Sequence, residues 1–181
     1  MRGGDLKVDL LTDEIREFFY ALEAINRGQG ESEILAVNDH ELLVVERDNR
    51  SNLQLPPQAP TLKKSYKIDL TGATDVSGVA SLPAGALPAS VVPVSKTLFI
   101  DLLDPFFNRA PTIAEKIEGL AWGQDLGDGR HLLYVISDNY LNPNLATHIY
   151  AFAIDPSALD YEAQSLPGPL YPPGQVKKAL K

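Results

Sequence analysis

The spacing of apolar residues changes near residue 30. Between residues 12 and 26, Ile15, Phe18, Phe19, Leu22 and Ile25 recur at three- and four-residue intervals, the spacing of one helix face. Thr12 suits an N-cap, Asp13 and Glu14 sit where a helix dipole favours acids, and Gly28 and Gly30 suit a stop. The pattern predicts one helix over 12–26. Beyond it the apolar runs are short. Residues 34–37 and 42–46 flank the turn signal Asn38-Asp39 and predict a hairpin. Further strands are expected at 66–70, 97–103, 117–122, 132–137 and 147–154, with a turn at Gly127-Asp128-Gly129. The stretches 52–61 and 71–95, rich in proline or glycine, predict long loops.

No helix alternates with these strands. The expected fold is therefore all-β: antiparallel sheets in a partial, β-propeller-like arrangement, with one N-terminal helix and long loops. Three segments follow: a helical one at 1–30, a β domain at 31–155 and a proline-rich tail at 156–181. With 181 residues and a hydrophobic fraction of 44%, the chain can bury a real core. A net charge of -8 argues against binding nucleic acid or an anionic membrane. The absence of cysteine excludes disulfides and thiolate chemistry. No apolar run approaches the length needed to span a bilayer. Open sheet edges in an incomplete arrangement would favour self-association.

Five stretches, taken in order, carry a family resemblance. They are 32–49 (SEILAVNDHELLVVERDN), 66–78 (YKIDLTGATDVSG), 116–122 (KIEGLAW), 128–139 (DGRHLLYVISDN) and 147–154 (THIYAFAI). Together the chain resembles the esterase-like phytase family, and more particularly the C-terminal half of its longer members. The resemblance implies a hydrolase acting on phosphomonoesters or other small anionic esters. A looser likeness to calcium propellers of the gluconolactonase and paraoxonase kind implies a calcium ion near Glu118-Gly119 and Asp138-Asn139.

Oxygen donors suit calcium, which takes six to eight of them. Glu118, Asp138 and Asn139 are the candidate metal ligands. Glu46 and Asp48 would complete the shell or handle a proton, and His131 is the candidate base. Arg47 and Arg50 would hold the anionic group. Each has a plainer alternative: turn capping for Asp138 and Asn139, and ion pairing for Glu118 and Arg47. There is no HExxH pair, G-x-S-x-G elbow or phosphate-binding loop. A calcium-stabilised interaction module without turnover is the alternative to an enzyme.

Overall fold

The computed structural model describes residues 3–9, 13–23, 29–51, 53, 56–83, 86–105 and 116–163. Nine strands form three antiparallel sheets in chain order. An N-terminal hairpin joins β1 (Gly3–Val8) to β2 (Ile15–Tyr20). The central sheet is β3 (Gly30–Ala36), β4 (Glu41–Arg47), β5 (Lys63–Asp69) and β6 (Ser95–Asp101). The distal sheet is β7 (Ile117–Trp122), β8 (His131–Ser137) and β9 (Ile149–Ile154). A 3-10 turn, Pro156–Ala158, follows, capped by Asp155.

The run Leu42-Leu-Val-Val45 shows why the sheets stack. An uninterrupted apolar strand has no solvent face and must be covered on both sides. Leu43 and Val45 point towards the distal sheet and pack in one core with Ile117, Leu133 and Val135. Val44 points the other way, with Ile68, onto Phe18 and Tyr20 of β2. Each fully buried aliphatic side chain contributes about 1.5–3 kcal/mol relative to exposure. Two hydrogen bonds between β3 and β7 are among the polar ties between the central and distal sheets. Ser32 Oγ donates to the Ile117 carbonyl at 2.7 Å, and Trp122 Nε1 donates to the Ala36 carbonyl at 2.8 Å.

The β3–β4 hairpin and its four-residue connection form as the sequence predicts, and so do β5 to β9. Two expectations are corrected. The segment expected to be helical holds a strand, β2, paired with β1 in full register from Gly3–Tyr20 to Val8–Ile15. The physical reason lies in Phe18-Phe19-Tyr20: all three are buried, which needs two opposite faces, whereas Ile15 at the head of the apolar stripe is 53% exposed. Cross-strand pairing and burial override the helical spacing. The remainder of that reading, Thr12, Ile25 and Gly28, lies outside the described residues. The propeller-like arrangement is also corrected: the sheets are open and stacked, and none closes into a propeller. The tail from residue 164 lies outside the described residues as well.

Candidate functional site

Glu46 and Arg47 end β4, Asp48 follows it, and all three are held in internal ties. Glu46 is fully buried. Its carboxylate accepts from Tyr20 Oη at 2.6 Å and from the Glu23 amide at 3.0 Å, and it pairs with Lys96. The Lys96 ammonium lies over the rings of Tyr20 and Tyr66, 4.6 and 4.0 Å from their centroids. Asp48 organises the loop to β5. It accepts from the Thr61 amide at 2.7 Å and the Thr61 hydroxyl at 2.9 Å, and pairs with buried Lys63 at 3.1 Å. Burial pushes the Asp48 carboxyl up, but the Thr61 donors and the Lys63 ammonium outweigh it and hold it below the usual carboxylate range.

Arg47 reaches across to the distal sheet. It pairs with Glu118 at 2.5 Å and with the Asn49 side chain, while Lys116 pairs with the same Glu118 oxygen at 3.1 Å. Asp138 is exposed, its amide bonded to the Lys116 carbonyl at 2.8 Å. Asn139 turns back on its own loop: Oδ1 accepts from the Leu141 amide and Nδ2 donates to the Leu145 carbonyl. Arg50 is exposed, its amide bonded to Asp48. His131 begins β8, whereas Asp138 follows its end, so about 20 Å separates them. His131 Nδ1 lies 2.9 Å from Asp125, and its ring meets Tyr161 at 4.8 Å.

This donor set does not fit a calcium ion as folded. Glu118 already neutralises two cations, and the Asn139 amide is committed to its loop. Among the described residues no three His, Asp or Glu side chains converge as a metal-ligand group. The expectation of a metal-binding cluster is corrected accordingly.

The opposite end of β4 is different. There a cleft of about 490 Å³ opens between the N-terminal hairpin and the loop after β5. Phe18 and Leu70 supply apolar lining, and Lys7, Arg16 and His40 supply three basic groups. Glu14 and Asp75 line it too. Lys7 Nζ donates to the Asp39 carbonyl at 2.6 Å, and two of its three donors have no partner among the described residues. Arg16 spends Nε and one terminal nitrogen on Glu14, at 3.0 and 3.2 Å. His40 Nδ1 lies 2.6 Å from Asp39 Oδ1, a contact that raises its pKa. Gly72, at φ 77°, turns the rim where a side chain would strain the backbone. The Ser77 amide, with that of Glu17, holds the Asp75 carboxyl below its ordinary range.

The model of a family described as "Phytase-like: Esterase-like activity of phytase" matches residues 6–140. The chain belongs to this phytase-like family. No curated protein and no solved structure matches. The match takes in most of the N-terminal hairpin, the whole central sheet and β7 and β8, and it ends before β9. Two of the stretches that carry the phytase-like resemblance, 32–49 and 66–78, meet at the cleft through His40 and residues 70–75. Sequence reasoning passed over Lys7 and Arg16 because it placed no strand at 3–8 and a helix at Arg16. His40, next to the Asn38-Asp39 turn, carries no local sign of the wall opposite. The usable signal was the Asp39-His40 pair beside the Thr71-Gly72 turn. No described helix is long and apolar enough to cross a membrane.

Proposed function

We propose that this phytase-like chain binds and hydrolyses small anionic esters, phosphomonoesters first, in the cleft beside His40. The observation that carries the reading is the grouping of Lys7, Arg16 and His40 around one cleft with an apolar side. The volume suits a small ligand. Lys7 and the remaining Arg16 donors take the anionic oxygens. His40, kept more protonated by Asp39, donates a proton to the departing ester oxygen as that bond breaks. Water forms the new bond to phosphorus, and the proton it sheds returns His40 to its starting state. Positioning and charge do most of the work in phosphoryl transfer. Family membership supports ester chemistry, because the family's description names an esterase-like activity.

The test is turnover of phenyl phosphate and phenyl acetate, whose leaving oxygen needs a proton. The His40→Gln variant is expected to lose at least about tenfold in kcat with little change in KM. Arg16→Ala is expected to raise KM for the phosphate ester more than for the neutral acetate ester. Undiminished turnover in both variants removes the cleft from the reaction. A second reading, a non-catalytic interaction module, is favoured by one feature away from the cleft, the exposed β9 edge with Ile149, Ala151 and Ala153.

A further inference from the structure

The cleft beside His40 carries acids as well as bases. Lys7 and Arg16 line it, and so do Glu14 and Asp75, so the lining charges cancel apart from His40. Two of the nearby acids are already matched: Glu14 pairs with Arg16, and Asp39 with His40. Asp75 is different. It is exposed, and among the described residues it is in no ion pair. The Glu17 and Ser77 amides both donate to its Oδ1, at 3.2 and 2.9 Å. Those donors fix the carboxylate at the cleft wall and favour its charged form.

The strands set the order of these charges. Lys7 faces Arg16 across the β1–β2 hairpin. On the other side of β2, Asp75 bridges to Phe18. Arg16 stands two residues before Phe18, so it is a diagonal neighbour of Asp75, about 7–8 Å away. The Asp75 charge is among those that raise the Arg16 pKa. The wall therefore runs from base to acid, Lys7 to Arg16 to Asp75, with Phe18 and Leu70 as its apolar part. A ligand with several phosphates finds no surplus of positive charge there, and a chain of net charge -8 repels it at long range. A ligand with one phosphate and one cationic group matches both ends.

We infer, on the reading that Lys7, Arg16 and His40 hold an ester's anionic oxygens, that the cleft selects zwitterionic phosphomonoesters and that Asp75 takes the ammonium group of the alcohol part. The phosphate lies between Lys7, Arg16 and His40. The ammonium lies against the Asp75 carboxylate and donates to it. The short carbon tether between the two charges lies along Phe18 and Leu70. Exposure limits the gain: a solvent-exposed pair favours the charged ligand by about three- to fivefold, not by orders of magnitude.

Phosphoethanolamine and propyl phosphate test this, because they differ only in the ammonium that replaces a terminal methyl group. Each is titrated into the wild-type chain and followed by the amide shifts of residues 39–40 and 70–75. Phosphoethanolamine is expected to bind about three- to fivefold more tightly. That preference is expected to shrink as salt is raised, since exposed charges are screened. Asp75→Asn keeps an oxygen for the two amides and is expected to bring the two affinities together. Equal affinities in the wild-type chain, a comparison that needs no variant to fold, overturn the inference and leave the cleft as an anion site. A preference that survives Asp75→Asn also overturns it. No saturable binding of either ester overturns both this assignment and the ester-binding reading beneath it.

Discussion

The two ends of β4 carry similar residues in opposite circumstances. At its C-terminal end Glu46 and Asp48 are buried among donors that saturate them, and Lys63, Lys96 and Arg47 are bound into the same ties. At its N-terminal end His40 meets Lys7 and Arg16 across an open cleft where several donors remain uncommitted. Residue type alone does not separate these ends. What separates them is how many partners the fold brings to each charge. A saturated buried carboxylate stabilises the native state and has no lone pair or path left for substrate. A half-exposed cation at the wall of a cleft still has both.

This contrast predicts effects of different kinds and sizes. Asp48→Ala leaves the buried Lys63 ammonium without its counter-charge and is expected to cost about 3–5 kcal/mol in urea unfolding. Phosphate affinity of the molecules that remain folded should not change. The lowered Asp48 pKa adds a sign. Its stabilisation is full above the ordinary carboxylate range and is lost as pH falls through the lowered value, so Asp48→Asn should flatten the acid limb of the stability curve. Glu118→Gln weakens the tie between sheets and is expected to cost about 1–2 kcal/mol, since Arg47 is mostly but not wholly buried. The smallest effect belongs to calcium. With Glu118 held by Arg47 and Lys116, adding millimolar calcium should move the melting temperature by less than about 2 °C. A larger rise would mean that those ion pairs open to admit the ion.

The parts of the fold legible in the sequence are those with local signals. The β3–β4 hairpin follows from an apolar run on either side of Asn38-Asp39, and β8 follows from a continuous apolar run after a glycine turn. The β1–β2 hairpin was not legible, because Phe18, Phe19 and Leu22 satisfy helical spacing as well as a strand covered on both sides. Only pairing with β1 and contact with Val44 and Ile68 decide between them. The acids after Val45 were visible as unusual, but their roles were not. Tyr20 lies 26 residues before Glu46 and Lys96 lies 50 after it, so no local motif announces the ties. The cleft was hidden for the same reason, since Lys7, Arg16 and His40 stand on separate elements.

Titration with inorganic phosphate, followed by calorimetry and by the backbone amide shifts of residues 39–40 and 70–75, tests the central claim most directly. The account predicts saturable binding that perturbs those amides and weakens by about tenfold in Arg16→Ala. Binding should fall as pH rises through the raised His40 pKa, because the neutral imidazole no longer attracts the anion. No saturable binding, or binding whose shifts gather around Arg47 and Glu118 instead, would contradict it.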